Sequence, residues 1–113
     1  MLITEVLVNA RGILLDKGWI KGNYRNHDGA CCLDGALLYG IDGGYHAPKE
    51  YWAAKELVMD VVAAQYQAEG SYNRYYHIPS WNDTRDRTLA QVIDVLDTAI
   101  EIAEIEEELV NAE

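Results

Sequence analysis

The chain has no phenylalanine at all, although it carries eight tyrosines and three tryptophans. Most of its large rings therefore bear a polar handle, which suits half-buried positions at a rim or an interface. Only two cysteines are present, and they are neighbours, Cys31-Cys32. A disulfide between adjacent residues would be a strained vicinal link, so a reducing, cytoplasmic location is the simpler expectation. Long hydrophobic runs are missing too, and nothing approaches the roughly 20 apolar residues that span a bilayer. Met1-Leu2-Ile3-Thr4-Glu5 also lacks the basic flank of a signal peptide. The last absence is one of charge. From Asp94 to Glu113 there are eight acidic residues and no basic one, whereas the first 93 residues hold eleven acids against nine bases. The net charge of −10 thus resides mainly at the C-terminal end. Direct binding to DNA or RNA, which rests on Lys and Arg neutralising phosphates, is not expected.

At 113 residues the chain suits one domain, residues 1–113, with an acidic helical tail over about 101–113. Apolar spacing predicts a first helix over residues 2 to about 17, with Ile3, Val6, Leu7, Ala10, Ile13 and Leu14 on one face and Gly18 as its stop. Trp19 and Ile20 should fold back on the core, and 21–29 should be a surface loop. A short helix is expected within Ala30–Ile41, where Gly35 implies the close approach of another backbone, and Asp42-Gly43-Gly44 should end it. Pro48 should occupy the first turn of a helix over about 49–68, with Trp52, Leu57, Val58, Val61, Val62 and Tyr66 facing inward. Gly70 then opens a long loop to Arg87, rich in rings, that should cover the bundle or form part of a site. Thr88 and Gln91 fit a capping box, in which each side chain satisfies the other's free backbone N–H. The last helix should run from there to about Asn111, with Val92, Ile93, Leu96, Ala99, Ile100 and Ala103 on its inner face. The expected fold is all-α, a compact bundle of about four helices with this long C-terminal helix at its centre.

Three constellations invite chemistry. His27, Cys31, Cys32, His46 and His77 include metal-ligand types, but adjacent cysteines cannot easily face one ion, so no metal or cofactor is expected. A nucleophilic Cys31 or Cys32 with His27 or His77 as base needs an orienting acid, and neither Asp34 nor Asp83 is fixed beside them by any spacing. Trp81, Asn82, Asp83 and Arg87 gather an indole, an amide, a carboxylate and a guanidinium near one helix start, which could hold a small polar or anionic group. Their bland alternative is structural: Trp81 plugs the bundle, Asn82 or Asp83 caps a turn, and Arg87 pairs with an acid.

Gly18-Trp19 with Lys21-Gly22, Gly29-Ala30-Cys31-Cys32-Leu33-Asp34-Gly35-Ala36-Leu37, and Ile78-Pro79-Ser80-Trp81-Asn82-Asp83 with Arg87-Thr88 and 92–99 together carry a likeness. With these segments the chain resembles a family of small uncharacterised proteins encoded by actinobacteria and their phages. The resemblance implies a mostly helical domain and transfers no activity. The tyrosine-rich stretch before Trp81 and the acidic end depart from the family's pattern.

The functional expectation is a non-enzymatic cytoplasmic interaction protein, plausibly encoded by a phage, that binds a host or viral protein and touches neither nucleic acid nor membrane. Tyr72, Tyr75, Tyr76, Trp81, Asn82, Asp83 and Arg87 are its candidate binding residues, and Ile102, Ile105 and Leu109 a candidate interface that could also serve homodimerisation. The alternative is a small-ligand site or enzyme pocket around Cys31 and Trp81-Asn82-Asp83/Arg87.

Overall fold

The computed structural model describes residues 2–41, 48–69 and 77–111. Those residues are all-α, with five α-helices among them in the order α1 (Ile3–Asp16), α2 (Leu33–Tyr39), α3 (Lys49–Gln65), α4 (His77–Asn82) and α5 (Leu89–Asn111). No strand occurs among the described residues; isolated bridges tie Cys31 to Trp19 and to Arg25.

α1 forms where the apolar spacing places it and buries Val6, Leu7, Ala10 and Leu14. Gly18 follows with φ +108°, a left-handed turn that reverses the chain at low steric cost. The reversed segment lies alongside Cys31: Cys31 N–H donates to Gly18 O at 3.1 Å, and Ile20 N–H donates to Cys31 O at 3.0 Å. Cys31 is thus in extended backbone, and the helix expected within 30–41 begins only at Leu33. Cys32 caps it, its sulfur accepting from Gly35 N–H at 3.3 Å. The close backbone inferred at Gly35 is present, since a Cβ there would stand 1.9 Å from Tyr24 O.

Pro48 is the N-cap of α3 rather than its first-turn residue. α3 ends at Gln65, short of the expected 68, and a 3₁₀ turn over Gln67–Glu69 follows. Trp52, expected inside, is 56% exposed, and the neighbouring Tyr51 is the buried ring instead. The reason is a polar partner. Tyr51 O–H donates to Asp34 Oδ1 at 2.6 Å, and Lys55 Nζ donates to Asp34 Oδ2 at 2.9 Å, one helical turn along. Asp34 is fully buried, so its charge must be met inside the protein, and Tyr51 and Lys55 meet it.

The expected 71–87 loop is interrupted by α4. Pro79 is tolerated because it lies in the first turn, where its missing N–H has no intrahelical partner to lose. α5 begins after the expected capping box: Gln91 N–H donates to Thr88 Oγ1 at 3.3 Å and Thr88 N–H to Gln91 Oε1 at 3.1 Å. Its long course is as expected, but it is not central. α5 packs mainly on α1 and α3, while α3 touches every other helix. An amphipathic helix that buries one stripe, Val92, Val95, Leu96, Ala99 and Ala103, must leave its acidic faces in water. No helix of the described residues is long and apolar enough to cross a membrane.

Candidate functional site

Of the residues singled out around Trp81, the structure brings four together. Trp81 is fully buried, its ring 5.1 Å from that of Tyr66 in an edge-to-face contact. The Arg87 guanidinium lies 4.1 Å from the Trp81 ring and 4.7 Å from the Tyr66 ring. Arg87 Nε donates to Trp81 O at 2.9 Å, and its terminal nitrogens form an ion pair with Glu69. A planar cation set against two rings and paired with a carboxylate is a strong clamp, joining the end of α3 to the loop before α5. The Trp81 indole N–H is buried without a partner among the described residues.

Asn82 is equally buried and fully used. Its Oδ1 accepts from Trp19 Nε1 at 2.6 Å and from Leu33 N–H at 3.0 Å. Its amide nitrogen donates to Ile20 O at 3.1 Å and to Asp83 Oδ1 at 2.9 Å. Asp83 Oδ1 also accepts from Gly22 N–H at 3.0 Å. The group knots the 19–22 segment, the start of α2 and the end of α4 into one unit. Tyr72, Tyr75 and Tyr76 lie outside the described residues, as does His46.

Cys31 lines a cleft of about 310 Å³ with Ile13, Lys17, Arg25, His27 and Tyr39, and none of Trp81, Asn82, Asp83 and Arg87 lines that cleft. His27 and Cys31 therefore do meet one cavity, but the Cys31 thiol is buried and turned to Gly29 O at 3.5 Å. Burial pushes that thiol above its ordinary value, with nearby Arg25 opposing the shift. Burial likewise pushes Cys32 up to about 11. A thiol held protonated is a poor nucleophile, and here both cysteines serve the backbone. Among the described residues, no group of three or more His, Cys, Asp or Glu could hold a metal ion.

The candidate interface divides. Ile102 packs against the core, whereas Ile105 and Leu109 are 57% and 65% exposed. Val110, on the same stripe, is 71% exposed, and with Leu2, Ile3, Ala103 and Glu107 it lines a mainly apolar cleft of about 260 Å³. Leu2 escaped notice because only the pairing of α1 with α5 brings it there; Thr4 Oγ1 and N–H both donate to Glu107 Oε1.

No curated protein and no solved structure matches the chain. The family model for a family of unknown function, DUF6197, matches residues 1–102, all but the last eleven, and the chain belongs to that family.

Proposed function

We propose that this is a non-enzymatic interaction protein that docks a basic, amphipathic segment of a partner protein on the free end of α5. The observation that carries the reading is the apolar stripe of Ile105, Leu109 and Val110, exposed on a helix that bears seven acids and no base from Asp94 onward. Exposed apolar residues in a contiguous group mark contact surfaces, and their acidic surroundings select a partner of opposite charge. A second copy of this chain is disfavoured by the same charge, because like fields would face each other. The stripe lies beyond the family match, so the common scaffold would present a contact particular to this chain. On the motif resemblance the partner is a host or viral protein, met in a cytoplasm where the two cysteines stay reduced. A pocket around Trp81-Asn82-Asp83/Arg87 has less support, because the polar atoms of Asn82 and the Arg87 guanidinium are engaged internally.

The test uses a labelled Lys/Leu amphipathic peptide and the Ile105→Ser/Leu109→Ser double variant, which leaves net charge unchanged. Fluorescence anisotropy should show binding that weakens at least about tenfold in the variant, as expected for two lost apolar anchors, with an unchanged circular dichroism spectrum. Raising salt should weaken binding further. Equal binding by the variant would overturn the reading. A dimer that the same substitutions dissociate would replace it with homodimerisation through Ile102, Ile105 and Leu109.

A further inference from the structure

Two depressions on the outer side of α1 share Ile13, Lys17 and Tyr39 and so form one furrow. One end is the cleft of about 310 Å³ where Lys17, Arg25 and His27 converge. The other, about 380 Å³, runs past Val8, Asn9, Gly12, Asp16 and Gly40.

The charged end stands out in a chain of net charge −10. Arg11 pairs with Asp97, Lys55 with Asp34 and Arg87 with Glu69, while Lys21 Nζ donates to the carbonyls of Thr84 and Arg85. Arg25 has no carboxylate partner among the described residues and lies 5.1 Å from the Tyr39 ring centre. Among the described residues, the carboxylate that Lys17 meets is that of its sequence neighbour Asp16, at 3.6 Å. The carboxylate at this end of the furrow is Asp28.

The other end offers a second, independent observation. Gly12 sits inside α1, where glycine weakens a helix relative to alanine. Each remaining described glycine has a reason to be glycine: Gly18, Gly22 and Gly29 have positive φ, and a Cβ at Gly35 or Gly40 would meet backbone within 3.0 Å. At Gly12 a Cβ would meet nothing within 4 Å. Neither conformation nor internal packing asks for glycine there, but an open furrow floor does.

We propose that this furrow binds a small organic phosphate, with its dianionic head among Lys17, Arg25 and His27 and its uncharged body along Ile13 and Gly12. A guanidinium fork, an ammonium and an imidazole supply donors to several oxygens of a tetrahedral head, more than a planar carboxylate presents. The volumes lie in the range of small-ligand sites. Nucleic acid, by contrast, would be repelled by the acidic chain as a whole.

The probe is phenyl phosphate, titrated into the intact protein while backbone amides are followed by NMR. Saturable shifts are expected at Gly12, Ile13, Arg25 and His27. Arg25→Gln and Lys17→Gln should each weaken binding by about tenfold, the size of one lost charge-assisted hydrogen bond. Asp28→Asn should tighten it. Gly12→Leu should raise the thermal midpoint, because leucine is the better helix former, yet weaken phenyl phosphate while leaving inorganic phosphate unaffected. The proposal is overturned if shifts do not saturate, or if the Arg25 and Lys17 variants bind as the parent does. Benzoate binding as tightly would remove the dianion, and inorganic phosphate binding as tightly would remove the organic body; either result also overturns it.

Discussion

Asn82 uses both lone-pair directions of its oxygen and both hydrogens of its amide inside the protein. That is the full capacity of the side chain. Asn82→Ala would leave the Leu33 N–H, the Ile20 carbonyl and the Trp19 indole short of a partner. The Leu33 N–H is buried and the other two groups are partly buried, so at about 1–3 kcal/mol for a fully buried group and less for the others the expected loss is about 2–4 kcal/mol, read from urea midpoints at 25 °C. Asn82→Asp keeps the acceptor but sets a second carboxylate beside Asp83, so it too should destabilise. A change under about 1 kcal/mol in both variants would show that water replaces the amide readily. The turn-forming character of Asn82 is visible in the sequence. Its partners are not, because Trp19 and Leu33 are distant in the chain and no local pattern encodes that pairing. The exchange of Trp52 for Tyr51 has the same origin. Periodicity leaves adjacent positions only 100° apart on a helix, and the choice fell to the hydroxyl that a buried Asp34 requires.

Elements were legible in proportion to their length and their caps. α1 and α5 repeat an apolar stripe over several turns, and α5 begins at a capping box that can be read directly from Thr88 and Gln91. α4 has six residues, with Pro79 in its first turn. So short an element shows no period, and its proline argues locally against helix; burial of Ile78 and Trp81 holds it in place. The centre of the bundle was misplaced for a related reason: a strong stripe shows that a helix packs, not how many neighbours surround it. The capping box allows a clean measurement. Thr88→Ala should cost about 1 kcal/mol, the usual value of a lost N-cap. Hydrogen exchange should quicken at the Gln91 amide and leave the amides around Ala99 unchanged, since the loss is confined to the first turn. Uniform acceleration along α5 would show instead that the helix unfolds as one unit with the core.

For the molecule as a whole, the buried groups that titrate upward set an alkaline limit on stability. Burial raises Cys32 from 9.0 to about 11, and burial together with the Asp34 hydrogen bond raises Tyr51 above its ordinary 10.0. Cys31 and Tyr24 move the same way, burial again being the largest cause. Each of these groups is neutral when protonated, so the native state holds the proton more tightly than the unfolded chain does. Between the unfolded and folded values the unfolded chain binds fewer protons, and stability must fall as pH rises. The contribution is complete below about pH 9 and is lost as pH climbs through about 11 and beyond. The urea midpoint should therefore stay level from pH 7 to about 9 and then decline steadily. The Cys32 thiolate, followed by its Cβ chemical shift in NMR, should appear close to pH 11 in the native protein and near 9 in urea. A midpoint level through pH 11, with thiolate appearing at the same pH in both states, would mean that solvent reaches Cys32 and Tyr51. The cap of α2 and the Tyr51–Asp34–Lys55 cluster would then have to open in the native protein.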